Sequence, residues 1–196
     1  MARLGVSFWR PRAPPGYSIL GDCVTMGYRF PSSPALAVSL KCGLLAPPAG
    51  FKLIWSAPDG EVKTILPPLY LLFVRSISPR TRGAADERGR RTGVQACVWW
   101  PIAPQGFKSL GCIVNFGTEK PNPGMVSCIR YEFVTSAPLA ERLIVYPPTE
   151  SHATDVTMCC WCIDNLVSSF LMTPTSQFPG SHLVCELRSP LFEAFR

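Results

Sequence analysis

One phrase occurs twice in this chain, and a fixed phrase that returns at an interval is the signature of a repeat architecture. Trp9-Arg10-Pro11, Pro14-Pro15-Gly16-Tyr17 and Leu20-Gly21-Asp22 return as Trp100-Pro101, Pro104-Gln105-Gly106-Phe107 and Leu110-Gly111-Cys112. A shorter echo, Pro48-Ala49-Gly50-Phe51, lies between them. Proline fixes φ and lacks the donor that a central ladder needs, so the chain is extended or turning there. Gly16, Gly50 and Gly106 stand where a turn asks for a residue that tolerates positive φ. The aromatic after each glycine opens a run with apolar residues at alternate positions, which suits a half-buried strand. Trp9, Pro11, Gly16, Tyr17, Gly21, Asp22, Trp100, Pro101, Gly106, Phe107 and Gly111 are thus signature positions. Their expected role is structural, as aromatic-stapled corners that lead into strands.

The rest of the chain reads as short strands between turns. Strands are expected at 7–9, 17–25, 36–41, 95–100, 107–116, 126–135, 140–145, 158–161, 168–172 and 183–187. The best hairpin signal is Phe51–Ser56 and Glu61–Leu66 around Ala57-Pro58-Asp59-Gly60, with Pro and Asp-Gly at turn positions. Apolar residues make up 47% of the 196 and charged residues 16%, enough for a sizeable core and unlike a disordered chain. The 21 prolines and 15 glycines are spread along the chain, which indicates many short strands rather than a linker. No long amphipathic helix is visible. The expected fold is all-β: a repeat-built β-prism-like or β-sandwich module, the alternative being two packed antiparallel sheets from a duplicated unit. The expected organisation is one β-rich module over 1–175, with a flexible Arg-rich insertion at 76–94 and an irregular tail at 176–196.

The net charge of +6 owes much to Arg75, Arg80, Arg82, Arg88, Arg90 and Arg91, which Asp86 and Glu87 only partly offset. Such a loop is a solvated insertion first and a contact for an anionic membrane surface second. No aromatic is interleaved in it, so no nucleic acid is expected as a partner. The apolar stretch 65–74 falls short of the roughly twenty residues that a spanning helix needs. The N-terminus lacks the apolar core of a signal peptide. The nine cysteines are therefore expected to be free thiols in a reducing, cytoplasmic setting.

Chemistry is sparse. His152 and His182 have no second histidine at metal-ligand spacing. Cys159-Cys160-Trp161-Cys162 lacks the paired spacing of a zinc site, and alternation along a strand puts neighbouring thiols on opposite faces. Phosphate-binding glycine loops are absent. Asp22, Asp59, Asp155 and Asp164 read as isolated acids, Asp22 as a residue that bridges its adjacent turn. No catalytic residue, no metal ligand and no cofactor is nominated, and the chain reads as a non-enzymatic module.

Trp9-Arg10-Pro11, Pro15-Gly16-Tyr17 and Leu20-Gly21-Asp22-Cys23-Val24-Thr25 resemble a signature of the vacuolar protein sorting-associated protein 62 family. The module also occurs in plant and protist vacuolar protein sorting-associated protein 13-like lipid-transfer proteins. Trp100-Pro101, Gly106-Phe107 and Leu110-Gly111-Cys112-Ile113-Val114 resemble its second signature, with Cys112 where the family pattern has Asp. Trp161-Cys162-Ile163-Asp164-Asn165 resembles a later Trp-Arg-Val-Asp-Asn element. The resemblance runs from about residue 6 to 175. It implies a β-rich scaffold or adaptor in vacuolar or endosomal sorting or contact-site lipid transfer, cytoplasmic and peripheral to membranes. The partners it implies are trafficking proteins; the arginine-rich insertion departs from the family pattern, and its charge gives the alternative, a peripheral module that meets an anionic membrane surface through Arg80, Arg82, Arg88, Arg90 and Arg91. A carbohydrate-binding β domain and a thiol enzyme are the remaining alternatives.

Overall fold

A computed structural model describes residues 6–26, 31, 36–56, 62–65, 70–74, 96–146, 158–173 and 184–188. In chain order the strands are β1 (Val6–Arg10), β2 (Tyr17–Ile19), β3 (Cys23–Met26), β4 (Ala37–Ser39), β5 (Leu45–Ala46), β6 (Gly50–Ser56), β7 (Val62–Ile65) and β8 (Tyr70–Val74). They continue as β9 (Ala96–Ile102), β10 (Phe107–Lys108), β11 (Ile113–Phe116), β12 (Cys128–Arg130), β13 (Val134–Ser136), β14 (Leu139–Tyr146), β15 (Met158–Ile163), β16 (Phe170–Thr173) and β17 (Cys185–Leu187). Single 3-10 turns at Leu40–Cys42, Pro123–Met125 and Tyr131–Phe133 are the helical elements among the described residues. The fold is all-β.

The strands form three larger antiparallel sheets, ordered β3-β1-β8-β7, β11-β9-β6 and β14-β15-β16. Three small ribbons accompany them: β2-β4, β10-β12-β5 and β13-β17. Each larger sheet has one inner strand with a tryptophan in a matching register. Trp9 lies opposite Cys23, Trp99 opposite Ile113 and Trp161 opposite Leu171. The residue before each tryptophan points inward, and so does its cross-strand partner. Phe8 with Val24, Val98 with Val114 and Cys160 with Met172 all enter one buried cluster, joined by Cys112 and Phe170. The Phe8 and Phe170 rings lie 4.8 Å apart at a tilted angle. Three sheets from three related units thus share one core. Each large apolar side chain buried there contributes about 1.5–3 kcal/mol.

The ribbons close a second cluster in which Leu20 and Leu110 meet Val38, Ile129 and Leu187. The first two units build them alike. Tyr17 N–H donates to Pro14 O (3.0 Å) and Phe107 N–H to Pro104 O (3.1 Å), around Gly16 at φ +81° and Gly106 at φ +82°. Those two glycines meet the turn expectation. Gly50 does not: it is the first residue of β6, outside the set with positive φ, and pairs with Ile102.

Three other expectations are corrected. The hairpin over 51–66 does not form, because β6 pairs with β9 and β7 with β8, in different sheets. Turn chemistry is local, but the partner of β6 is set by burial of Phe51 against Trp99, Ile113 and Val126. The tryptophan that matches Trp9 is Trp99, not Trp100, so Trp9-Arg10-Pro11 aligns with Trp99-Trp100-Pro101. The third unit is built around Trp161, not around Gly50-Phe51. The Arg-rich stretch 76–94, the 57–60 turn, His152 and His182 lie outside the described residues.

Candidate functional site

Arg10 closes β1, and Asp22 sits just before β3. The Arg10 guanidinium holds the Asp22 carboxylate in a fork: Nε donates to Oδ1 and Nη2 to Oδ2, each at 2.8 Å. The same Nη2 donates to the Val114 carbonyl, and Val114 N–H donates to Asp22 Oδ2 at 2.8 Å. Val114 lies on β11, the edge strand of its sheet, so these two backbone groups have no ladder partner there. The ion pair supplies that partner and ties the first unit to the second. A fork of charge-assisted bonds is also a strong way to seal a strand edge. Asp22 is therefore not an isolated acid: its side chain is 3% exposed and paired. A cleft of about 270 Å³ opens beside the pair, walled by Phe8, Val114, Asn115, Phe116 and Met125.

The same position recurs in the other units with different chemistry. Cys112 and Phe170 stand where Asp22 stands, and Trp100 and Cys162 where Arg10 stands. The Met172 backbone N–H bonds the Cys112 sulfur, as Val114 N–H bonds Asp22. At the next junction a neutral thiol meets the backbone N–H but holds no cation, and Cys112 stands there where the first unit has Asp22. The three positions also join through their backbones. Asp22 N–H donates to Cys112 O (3.3 Å) and Cys112 N–H to Phe170 O (2.8 Å). Beside them Gly21, Gly111 and Ser169 pack together. A Cβ on Gly111 would lie 2.6 Å from that of Ser169.

A family model described as vacuolar protein sorting-associated protein 62 matches residues 44–162, more than half of the chain. The chain belongs to that family. The match covers the second unit and reaches Cys162 of the third, whereas Arg10 and Asp22 precede it. No curated protein matches the sequence. The crystal structure of GNIP1Aa from Chromobacterium piscinae is similar over 99% of this chain, with a TM-score of 0.62 and 15% identity. The chain spans 36% of that protein's length, and the likeness is one of fold.

In this family member the junction offers little for catalysis. The Asp22 carboxylate already accepts three bonds, two from Arg10 and one from Val114. Among the described residues no second acid lines the cleft. All nine cysteines are thiols, none joined in a disulfide. Burial pushes the Cys112 thiol up to about 12; Met172 N–H opposes the rise and the Asp22 charge adds to it. Burial and then the Asp22 charge push Cys23 up to about 12 as well. Cys160 is raised well above its ordinary value, chiefly by burial and further by Cys162, Cys112 and Cys159. A nucleophilic thiol needs the opposite shift. Among the described residues no group of three His, Cys, Asp or Glu could hold a metal.

The signature residues fall into two groups. Trp9, Gly21, Asp22, Pro101 and Gly111 are buried, with Gly21, Asp22 and Gly111 at the unit junctions, while Gly16, Tyr17 and Gly106 are exposed on turns, with Phe107 half-buried beside Gly106. Trp100 and Pro11 are half-buried. Arg80, Arg82, Arg88, Arg90 and Arg91 lie outside the described residues. The residues not singled out from sequence are Trp99, Ser169 and the position of Arg10 opposite Asp22. Asn165, quoted only within its element, holds the third turn: its Oδ1 accepts from Ser169 N, and its Nδ2 donates to Ser169 Oγ and Cys185 O.

A repeated hydrogen bond explains the tryptophans. Trp9 Nε1 donates to Thr25 Oγ1 (2.9 Å) and Trp161 Nε1 to Thr173 Oγ1 (3.0 Å), each threonine two residues beyond the cross-strand partner. In the second unit that position is Asn115, whose Nδ2 donates instead to Glu119 O. Trp99 Nε1 is left buried without an acceptor. Asn115→Thr is expected to restore the bond and stabilise the chain by about 1 kcal/mol. Thermal unfolding would show a rise of about 2–4 °C for a chain of this size. An unchanged midpoint would mean that the repeat geometry does not extend to this pair.

Proposed function

We propose that this chain is a non-enzymatic scaffold or adaptor module in vacuolar or endosomal protein sorting or in contact-site lipid-transfer machinery. The observation that carries the reading is the family match over residues 44–162. The geometry supports it from the other side: the one buried carboxylate–guanidinium pair among the described residues is saturated by structural bonds. The thiols of Cys23, Cys112 and Cys160 are shifted away from reactivity. The partners in this reading are trafficking proteins, and the chain works at the cytoplasmic face of vacuolar or endosomal membranes without spanning them. No helix among the described residues is long and apolar enough to cross a membrane.

The test is delivery of a vacuolar hydrolase in cells of the source organism that lack the chain. Secretion of its precursor, corrected by re-expressing the full chain, is the expected result. Normal delivery, with a diffuse fluorescent fusion that meets no vacuolar or endosomal marker, would overturn the reading.

A further inference from the structure

The ribbons carry their turns side by side along one continuous row. Leu40 N–H donates to Gly16 O (2.8 Å), Arg130 Nε to Gly43 O (3.3 Å), Arg130 N–H to Leu44 O (3.0 Å) and Tyr131 N–H to Gly106 O (3.0 Å). The row therefore runs from Gly16-Tyr17 through Leu40–Leu44 to Arg130-Tyr131 and Gly106-Phe107. Leu40 and Tyr131 are pseudo-equivalent, each opening a 3-10 turn in its unit. Three large apolar side chains stand out on it: Tyr17 at 47%, Leu40 at 54% and Tyr131 at 55% exposure. Exposed cations stand on the same turns or beside them in the chain, namely Arg12, Lys41, Lys108 and Arg130. Among the described residues of the row one acid opposes them, Glu132, whose carboxylate lies 3.8 Å from Arg130 Nη1.

We propose that this row docks on an anionic phospholipid surface. Tyr17, Leu40 and Tyr131 enter the headgroup layer, and Arg12, Lys41, Lys108 and Arg130 meet lipid phosphates. The chemistry favours a bilayer over a protein groove. Tyrosine has an apolar ring and a polar tip, which suits the water–hydrocarbon boundary. Lys and Arg lay apolar stems against such a surface while their charges stay at headgroup level. The row consists of projecting turns and shares no residue with the cleft at Phe8 and Met125. The surplus of cations is complementary to acidic lipid, where each added positive charge strengthens attraction. The row shares no residue with the Arg80–Arg91 segment, and the inference does not depend on the sorting reading.

The experiment is cosedimentation of the full chain with phosphatidylcholine vesicles and with vesicles containing phosphatidylserine. Binding is expected to the second kind only, fading as salt is raised, because exposed charges are screened within about 10 Å at 0.1 M. The triple variant Tyr17→Ser, Leu40→Ser, Tyr131→Ser should bind at least about tenfold more weakly, and so should Lys41→Glu with Lys108→Glu. Both variants should keep the parent's circular dichroism and unfolding midpoint, since every replaced side chain is exposed. A variant with Arg80, Arg82, Arg88, Arg90 and Arg91 changed to Glu should retain most of the binding attributable to the row. The proposal is overturned if the parent binds neither vesicle, if both row variants bind like the parent, or if only the arginine variant loses binding. Vesicle binding with normal hydrolase delivery would leave this inference standing while the sorting reading fails.

Discussion

Asp22→Ala is expected to destabilise the chain by about 3–5 kcal/mol, because removing one partner of a buried pair strands the other. The Arg10 guanidinium would lose both carboxylate bonds, and Val114 N–H would lose its acceptor on the open edge of β11. Chemical unfolding should show the loss as a lower midpoint. The repeats themselves provide the control. At the matching positions the second unit carries Trp100 and Cys112, with the Cys112 sulfur accepting from Met172 N–H. Arg10→Trp combined with Asp22→Cys therefore copies a solution the fold already uses. The double variant should lose clearly less stability than the two single changes added together. Full additivity would show that the pair does not act as one unit and that Val114 is held by something else.

Gly111→Ala carries the other large effect. The new Cβ would meet Ser169 Cβ at 2.6 Å, Ser169 Oγ at 2.9 Å and the Phe170 carbonyl at 3.1 Å. Ser169 cannot yield easily. Its hydroxyl donates to Leu110 O (2.6 Å) and accepts from Asn165 Nδ2 (2.9 Å), while its N–H donates to Asn165 Oδ1 (3.2 Å). Overpacking costs about 1–3 kcal/mol, and a broken buried hydrogen bond adds about 1 kcal/mol. A loss of about 3 kcal/mol is the expected result in equilibrium unfolding. Ser169 occupies the third unit's counterpart of Gly21 and Gly111, so adding Ser169→Gly should recover part of it by clearing the colliding atoms. No recovery would mean that the Phe170 carbonyl, not Ser169, sets the limit at the junction.

The parts of the fold legible in the sequence are those decided over a few residues. Gly16 and Gly106 announce their turns because positive φ is a local demand that glycine meets cheaply. The all-β class follows from short alternating runs cut by proline, and the duplicated phrase shows that units recur. The third unit is harder to see because its matching residues changed type. Ser169 and Phe170 replace the Gly-Asp of the first unit, and Ser169 follows Trp161 by eight positions where Gly21 follows Trp9 by twelve. With two adjacent tryptophans, Trp99 and Trp100, the phrase alone cannot choose the register. Pairing settles it by placing Trp99 opposite Ile113.

By itself, then, the sequence determined the turns, the strand character and the recurrence of a tryptophan strand, since backbone preference and side-chain alternation act at short range. Only the tertiary structure decided which strands share a sheet, so that β6 left its expected hairpin for β9 to bury Phe51. It likewise decided that Asp22 closes on Arg10 and Val114, the latter 92 positions away. Such choices depend on which surfaces lose water together and which orphaned backbone groups find a partner, and neither is a property of neighbouring residues.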